Sequence, residues 1–518
     1  MSIQGYPSSY RAPFAAVELR FGQGPSNAPS GPRTTFYCGP KTSSGTATAN
    51  TRYTISRESD AITLFGAGSP VHRMCRRHLM ANKNGAIAAS AHAASSGSGV
   101  ATATGTITVT MSSGSNPTAT GNVTTYVCGE YITTAFNTSD TIATIASALA
   151  DQINTKTWLP VTASPSGGVV TLTAKIAGAS QGNGTVGVLR FRSAPDPGKN
   201  VAVATSGAAL GLGTGVAGAD GATTEVSGLT AALNTITNIR YYYMGFSAWD
   251  SASLAIIKTH ISNKSEANPG LRSRAFTGYT GTLTALQTLA IAANHERRHF
   301  VHQENSEWDV ADLVGNAVAV HQKAESVRGG FVHDNYRDAD WMCPAVYDTA
   351  DAPTGTEIND SVTDGIIQIG SDQIGSFMVM SVNSRSKDAT GAIDDFRATE
   401  THRVSFMDEF GDTVLLRHVQ QYAGFKLQAD QKLADGSVNT NQKVPPKTTT
   451  PSLYKPFVAK IIEEFVDAGV LQGLDDWLAS LNDAIDPNNI SRNEASASGR
   501  TADILHQQTF VFSETTPG

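Results

Sequence analysis

The sequence predicts an α/β protein whose mostly parallel sheet is interrupted by a β-rich insertion and followed by an α+β region, with an extended arm at each end. Helix and strand patterns alternate in residues 34–94 and again in 223–385, which is typical of parallel sheets covered by helices. Between these two parts, residues 95–222 have few charged residues and many alternating strand patterns. The length of 518 residues also exceeds what one hydrophobic core supports.

The first α/β unit starts with an alternating, β-branched stretch, Thr51–Ile55, which predicts a strand. Ser56 is expected to cap a short helix. The apolar spacing of that helix predicts that Ile62 and Leu64 face the core. Before this unit, Thr34–Cys38 is a further predicted strand.

A second helix is predicted after Gly66 and Gly68, the two glycines that end the first helix. Ser69 is its expected cap, and Pro70 occupies the first helical position, where proline costs nothing. The helix should run to about Asn82 and lead into the short strand Ala86–Ala89. This strand, two short helices and strand form one unit, after which the chain leaves the α/β pattern.

Residues 95–222 are predicted to be a β-rich α+β domain inserted into the core and projecting from its surface. One helix, Thr141–Asn154, fits the pattern, and the glycine-rich end, residues 206–222, is expected to be a flexible exit. The predicted strands are Gly105–Met111, Val123–Cys128, Tyr131–Phe136, Val169–Ala174 and Val186–Phe191.

The α/β alternation returns after residue 222 and completes the core. Two short strands are also expected within Ser361–Gly370 and at Phe377–Val382. The earlier elements are predicted as helix Val226–Ile236, strand Arg240–Phe246, helix Ser251–Asn263, strand Leu271–Gly278, helix Thr282–Ala293, strand Arg298–Gln303 and helix Asp309–Ser326.

A C-terminal α+β domain is predicted over residues 386–486, followed by a linker and arm over 487–518. The predicted elements of this domain are the separate segments Thr401–Phe406 and Leu415–Tyr422 and the helix Lys455–Leu471. The stretch Asn482–Arg500, which leads into the arm, is interpreted as a polar connector. The helix carries an apolar stripe with acidic residues on the opposite face. The stripe comprises Phe457, Ile461, Ile462, Phe465 and Val466.

Composition excludes several classes of function. A net charge of -7 without a basic patch argues against nucleic acid as a partner. No apolar run approaches the roughly 18 residues of a membrane span, and the N-terminus lacks the apolar segment of a secretory signal. The four cysteines have no metal-binding spacing and are expected to be buried free thiols: Cys38, Cys75, Cys128 and Cys343.

One enzymatic motif is present, the H-E-x-x-H sequence from His295 to His299. In zinc proteases both histidines share one helix face, and the glutamate, here Glu296, polarises a zinc-bound water. Here the helix is predicted to end near Ala293, and Arg298–Gln303 alternates like a strand. The two histidines would then diverge, so we expect no zinc site, no cofactor and no catalytic residue.

Four segments together resemble the Mu-like family of contractile phage tail sheath proteins. The first is the order of an ANT triplet, an alternating strand, Leu64–Ser69 (LFGAGS), a helix and a short strand. The others are Lys432–Gly436 (KLADG), Pro456–Trp477 (PFVAKIIEEFVDAGVLQGLDDW) and Asp486–Arg492 (DPNNISR). The resemblance covers most of the chain. It implies a core that is subtilisin-like in topology, although the chain lacks the nucleophile, histidine and aspartate segments of that catalytic triad.

The resemblance implies a structural subunit of a contractile phage tail sheath. Such subunits polymerise as hexameric rings stacked helically around a tail tube, with baseplate and tail terminator proteins as further partners. The sheath contracts to drive the tube through the host envelope. The protein would be assembled in the bacterial host cytoplasm and located in the virion. Two alternatives remain: the sheath of a contractile bacteriocin or other injection machine, and a hydrolase or metalloprotease using His295, Glu296 and His299.

The two chain ends are predicted to hold neighbouring subunits together by strand addition. Residues 1–33 form an arm that contains a strand pattern, and the chain closes with a four-residue aromatic strand that is too short to be stable alone. An apolar strand of this kind is expected to pair with a sheet edge of another subunit. The expected inter-subunit strand residues are Phe14, Ala16, Val17, Leu19, Thr509, Phe510, Val511 and Phe512.

Overall fold

The first part of the core forms the strand–helix–helix–strand unit that was predicted. The computed structural model describes residues 33–179, 189–206, 215–266, 270–327, 341, 343, 352–371, 376–388, 390–391, 393–439 and 441–501. The strand β1 (Thr35–Pro40) comes first, and the unit itself consists of β2 (Arg52–Ile55), α1 (Glu58–Phe65), α2 (Pro70–Ala81) and β3 (Ile87–His92). The hydroxyl of Ser69 accepts a hydrogen bond from the backbone N–H of His72 at 3.1 Å, which confirms the predicted cap of α2.

The inward face of α1 was predicted wrongly at Ile62, although Leu64 is partly buried against the core as predicted. Ile62 is 37% exposed, whereas Ala61 and Phe65 are fully buried. The carboxylate of Asp60 accepts the backbone N–H groups of residues 56 and 57, so the helix begins at Glu58, with the N-cap at residue 57 rather than at Ser56. One position of offset rotates the buried stripe by about 100°, because a helix has 3.6 residues per turn.

The inserted region contains two antiparallel sheets and one long helix around a cluster of apolar side chains of its own. Its elements are β4 (Thr102–Met111), β5 (Gly121–Val127), β6 (Glu130–Phe136), α3 (Ile142–Thr155), β7 (Val161–Ser166), β8 (Val169–Ala177), β9 (Phe191–Ser193) and β10 (Val201–Thr205). The sheets have the orders β10-β4-β8-β7 and β6-β5-β9. Two strands were missed, β7 and β10, because both are short and β7 contains Pro165. The predicted strand Val186–Phe191 lies partly outside the described residues.

The expected flexible exit is ordered where the structure describes it. Residues 215–223 return antiparallel to residues 96–104, with bridges between Ser96 and Thr223 and between Thr104 and Val216. Two backbone hydrogen bonds of 3.0 Å join Ser96 and Thr223. Glycine here allows close approach, because a Cβ on Gly215 would lie 1.9 Å from the carbonyl oxygen of Thr104. The entry and exit of the insertion therefore form a paired ribbon.

After the insertion, helices and strands alternate as predicted. The elements are α4 (Glu225–Asn234), β11 (Tyr243–Phe246), α5 (Ser251–Ser265), β12 (Arg274–Tyr279), α6 (Leu283–Ala293), β13 (Arg298–His302), α7 (Val310–Val327), α8 (Gly355–Thr363), β14 (Ile366–Ser371) and β15 (Ser376–Met378). Helix α8 was not predicted, although Thr354 and Glu357 form a capping box at its start.

These strands join β1, β2 and β3 in one sheet of eight strands, ordered β15-β14-β13-β12-β11-β1-β3-β2. The strands from β14 to β3 run parallel, and only the edge pairs β14–β15 and β2–β3 are antiparallel. Helices α2 and α7 pack on one face, and α4 and α5 cover the other. This confirms the predicted mixed α/β fold with a mostly parallel sheet.

The C-terminal region begins with one long helix rather than the separate segments that were predicted. Its elements are α9 (Thr401–Tyr422), β16 (Lys426–Leu427), β17 (Thr448–Thr449), α10 (Pro451–Asp467), β18 (Leu471–Gln472), α11 (Leu474–Ser480), β19 (Asn482–Asp486), β20 (Asn489–Ser496) and β21 (Arg500–Thr501). The stripe predicted on α10 is confirmed, since Ile461, Ile462 and Phe465 are buried in a cluster with Trp477.

The prediction of a polar connector over Asn482–Arg500 was wrong. These residues form the antiparallel hairpin β19–β20, and β21 then pairs with β18. Residues 487–501 therefore belong to this hairpin and its neighbour rather than to a linker. The carboxylate of Asp486 accepts the backbone N–H of Asn488 at 2.8 Å, so Asp-Pro-Asn-Asn is a turn that polar composition concealed.

Candidate functional site

The two histidines of the H-E-x-x-H motif do not share a helix, as predicted, since His295 lies in the turn after α6. Asn294 ends α6 in the left-handed conformation, and His299 lies on β13. The ring of His295 bonds Ser262 at 2.9 Å, whereas His299 stacks on Phe276 with ring centroids 4.4 Å apart and donates to the carbonyl of Val382. Burial holds the pKa of His299 well below its ordinary value. Both rings are thus engaged within the core.

Metal-ligand clusters and membrane-spanning helices are also absent from the part of the chain that the structure describes. No three histidine, cysteine or acidic side chains there approach one another closely enough to hold a metal ion. No described helix is long and apolar enough to span a membrane. All four cysteines are buried with free thiols, as predicted.

The most unusual site is a buried array of charges between the sheet and α9, which we call the charge array. Its arginines lie at or just before the amino ends of adjacent parallel strands, which meet at one edge of the sheet. The carboxylates come from α9 and from the end of α7. The arginines are Arg33, Arg240, Arg272, Arg274 and Arg297, and the carboxylates are Glu325, Asp408, Glu409 and Asp412.

Glu325 is the best-bonded carboxylate of the charge array. Arg274 donates two hydrogen bonds to it, at 2.7 and 2.8 Å, and Arg33 forms an ion pair with the same group. The hydroxyls of Tyr243 and Ser405 also donate to it. Because all these donors are buried, Glu325 fixes the segment before β1, two strands and α9 around one point.

Asp408 forms the second centre of the charge array. Arg297 binds it through two hydrogen bonds, at 2.6 and 2.7 Å, and both side chains are almost fully buried. Burial alone would raise the pKa of Asp408, but the charge and hydrogen bonds of Arg297, together with the charges of Arg272 and Arg240, outweigh burial and hold this pKa below its ordinary value. Nearer the surface, Asp412 receives two hydrogen bonds of 2.7 Å from Arg240.

Arg298 differs from its neighbours because it has no carboxylate partner among the described residues. It is fully buried, and Nη2 donates to the hydroxyl of Thr277 at 3.2 Å. Its Nε and Nη1 atoms have no hydrogen-bond partner there. Burial lowers the pKa of this guanidinium to about 9.

A second buried interface joins the insertion to the core. The tight turn between β5 and β6, at Cys128 and Gly129, presses against the ring of Trp308, where a Cβ on Gly129 would fall 2.2 Å from a ring atom. The insertion also contributes Arg192, which pairs with Glu307 and lies 3.9 Å from the ring centroid of Tyr126. The insertion is thus docked through a hairpin turn as well as joined through its ribbon.

The arginines on the core side of this interface are bound to carboxylates of the core. Arg73 and Arg77 of α2 both bind Asp312 of α7, Arg77 at 2.9 Å, and Arg73 also lies 3.4 Å from Asp309. The guanidinium of Arg77 lies 4.1 Å from the ring centroid of Trp308. The insertion adds two ion pairs across this interface, from Glu130 to Arg77 at 3.5 Å and from Arg192 to Glu307, but Arg73 and Arg77 also have carboxylate partners within the core.

The predicted inter-subunit strand residues, from Phe14 to Leu19 and from Thr509 to Phe512, lie outside the described residues.

The charge array was not predicted from the sequence. The sequence pattern of α9 was interrupted by Gly411 and by acidic residues that resemble a loop. A Cβ on Gly411 would lie 3.1 Å from the guanidinium of Arg272, so this glycine makes room for the array. The available signal was the spacing of Ser405, Asp408 and Asp412, which places them on one helix face.

Comparisons with known proteins give matches among solved structures alone. No family model matches the chain, and no curated protein matches it. A sheath tail protein from Desulfitobacterium hafniense is 13% identical, with a TM-score of 0.45 over 94% of this chain and 98% of its own. A sheath tail protein from Listeria innocua is 12% identical, with a TM-score of 0.43 over 91% of this chain and 92% of its own.

The helical sheath of the anti-feeding prophage in its contracted state is 9% identical to this chain. Its TM-score is 0.44, over 100% of this chain and 99% of its own. These solved structures are sheath proteins, the kind of protein that the sequence resemblance names.

Proposed function

We propose that the chain is the structural subunit of a contractile tail sheath and is not an enzyme. The observation that carries this is the place of the family-like segments in the fold. LFGAGS spans the end of α1 and the turn before α2, and DPNNISR spans the turn of β19–β20 and the start of β20. Pro456–Trp477 spans most of α10 through β18 into α11 around one apolar cluster. The resemblance thus falls on structured junctions of the molecule.

The proposed mechanism is mechanical. Subunits form hexameric rings stacked around a tail tube, assembled on a baseplate and closed by a terminator protein. Contraction replaces an extended lattice with a shorter one that has more favourable contacts, and the tube is driven through the host envelope. A subunit that moves as a rigid body suits this role. The charge array supports rigidity because its ion pairs join α9 to the sheet in a buried setting.

Strand addition is the proposed link between subunits. In the described part of the chain, β19 and β20 pair only with each other, so the hairpin offers sheet edges to further strands. We propose that the segments Phe14–Leu19 and Thr509–Phe512 of neighbouring subunits occupy such edges. Seven residues separate Thr501 from Thr509, which limits the reach of the last strand to about 25 Å. This reach is shorter than the one implied by the polar connector that was predicted over Asn482–Arg500.

The proposed location is the virion, after assembly in the host cytoplasm. A second candidate of the same class is the sheath of a contractile bacteriocin or another injection machine, which would use the same subunit. An image of the native particle distinguishes the two, because only a phage carries a capsid. The hydrolase alternative is disfavoured, since His295 lies in a turn and His299 on a strand, and both rings are bonded within the core.

The test is assembly of the purified chain, observed by negative-stain electron microscopy and sedimentation. We expect tubes or ribbons from the full chain. Deleting Thr509–Gly518 should leave a folded monomer that no longer polymerises, whereas the matched deletion of Glu514–Gly518, which spares the strand, should still assemble. Tubes from the longer deletion would refute strand addition, and a full chain that stays monomeric under all assembly conditions would contradict the sheath proposal.

A further inference from the structure

Two buried glutamates of the charge array receive very unequal numbers of hydrogen bonds. Glu325 accepts hydrogen bonds from Arg33, Arg274, Tyr243 and Ser405. Glu409 faces the same Arg33 from α9, but at 3.3 Å, and its Oε1 atom is buried without a hydrogen-bond partner. A buried carboxylate with so few donors is poorly stabilised as an anion.

The charges around Glu409 come from every element that packs on it. Arg33, just before β1, and Arg274 of β12 favour its ionised form, while Glu325 of α7 and Asp412 of α9 itself oppose it. Both arginines are already bound to Glu325. Burial raises the pKa of Glu409 to about 8, although the charge of Arg33 acts in the opposite direction.

We propose that Glu409 is held as the neutral acid at neutral pH and that its ionisation loosens α9 from the segment before β1 and from α7. In this arrangement Arg33 is committed to Glu325, and Glu409 packs beside the pair without competing for it. An ionised Glu409 would compete with Glu325 for Arg33 and would add a buried negative charge. The joint between the core and the C-terminal region thus weakens as the pH rises. This inference concerns a single subunit and does not depend on the sheath function.

The direction of the pH effect follows from proton linkage. An unfolded glutamate ionises near pH 4.3, whereas folded Glu409 ionises near 8. Between these values the folded state binds more protons than the unfolded state, so stability falls as the pH rises. Glu409→Gln keeps the shape of the neutral acid and cannot ionise, so it should not show this decline.

The experiment is urea unfolding of the full chain and of the Glu409→Gln variant, at pH values from 5 to 9, without assembly. Relative to the variant, the unfolding constant of the unsubstituted chain should rise about tenfold per pH unit between about 5 and 8 and then level off. The variant should be as stable as the unsubstituted chain at pH 5 and more stable at pH 8. A ratio that does not change with pH, or a variant that is less stable at pH 7, would overturn the proposal.

A second measurement does not require a folded variant at Glu409. Selective 13C labelling of glutamate carboxyl groups should show one resonance with the chemical shift of the protonated acid at pH 7, with a titration midpoint near 8. Burial also raises the pKa of Glu307, so Glu307 is replaced by glutamine in the labelled chain to remove its signal. If no remaining glutamate is protonated at pH 7, Glu409 is an ordinary ion-pair partner of Arg33, and the proposal fails.

Discussion

The two buried interfaces of the core differ in how their charges are shared. At the insertion, the core arginines Arg73 and Arg77 are paired with Asp312 of the core itself, and the insertion lies over them. At α9, arginines of the sheet edge such as Arg297 depend on carboxylates that α9 supplies, such as Asp408. At the insertion, the core arginines keep carboxylate partners of their own although Glu130 and Arg192 add ion pairs across the interface, whereas at α9 arginines such as Arg297 have their carboxylate partner only when α9 is present.

This difference predicts which region the core can lose. Taking the insertion away exposes ion pairs that water can solvate without leaving an unpaired buried charge. Taking α9 away leaves a row of arginines at the sheet edge without their partners, and an unpaired buried charge costs several kcal/mol. We therefore expect the insertion to be a separable module and the C-terminal region to be part of the core.

The strongest test is a pair of deletions. Joining Ala94 to Thr223 through a short linker should leave a folded core, and the ribbon makes this feasible because Ser96 and Thr223 are directly hydrogen-bonded. Ending the chain at Glu400 should instead prevent folding. Circular dichroism and cooperative urea unfolding report on both, and the spliced core should also show red-shifted tryptophan emission, since Trp308 loses its cover. A soluble, cooperatively folded product of the truncation would show that α9 is dispensable.

A single substitution sharpens the comparison. Asp408→Asn removes the charge that Arg297 needs and should destabilise the chain by about 3–5 kcal/mol. Its matched control, Asp412→Asn, lies at the rim, where the carboxylate is 20% exposed, and should cost about 1 kcal/mol or less. Both are measured by urea unfolding at pH 7.

The cost of Asp408→Asn should also depend on pH. Because the pKa of Asp408 is held below its ordinary value, its stabilisation is present above about pH 4 and is lost as the pH falls through the folded pKa. Equal costs for the two substitutions at pH 7 would mean that burial does not distinguish these ion pairs.

The sequence predicted the parallel sheet well because its strands are apolar runs separated by amphipathic helices with clear caps, such as Ser69 before α2. It failed where long-range pairing decides the structure. The local sequence at the centre of α9 predicts a loop, because the contact between Gly411 and Arg272 cannot be seen from it. Similarly, the local sequence of residues 215–223 predicts a flexible segment, because their pairing with residues 96–104 is not visible in it. In both cases the partner lies more than a hundred residues away, so no local pattern contains the information.

The smallest expected effect concerns Arg298, the residue after Arg297, which has no carboxylate partner in the described structure. Arg298→Met replaces a buried guanidinium, whose Nε and Nη1 atoms have no hydrogen-bond partner there, by an apolar chain of similar length. It loses one hydrogen bond, to Thr277, and removes a desolvated charge. We expect stability at pH 7 to stay the same or rise by about 1 kcal/mol, since replacing buried ionic groups by apolar ones is often neutral or stabilising.

The neighbouring substitution Arg297→Met is the matched control, and it should cost about 3–5 kcal/mol because it leaves Asp408 buried without its main partner. Both variants are compared by urea unfolding at pH 7 and pH 10. Burial lowers the pKa of Arg298 to about 9, so above that value the folded state binds fewer protons than the unfolded state, and the unsubstituted chain gains stability as the pH rises. Any advantage of Arg298→Met should therefore shrink at pH 10. If Arg298→Met costs as much as Arg297→Met, Arg298 has an anionic partner, and the distinction drawn between these two adjacent arginines is wrong.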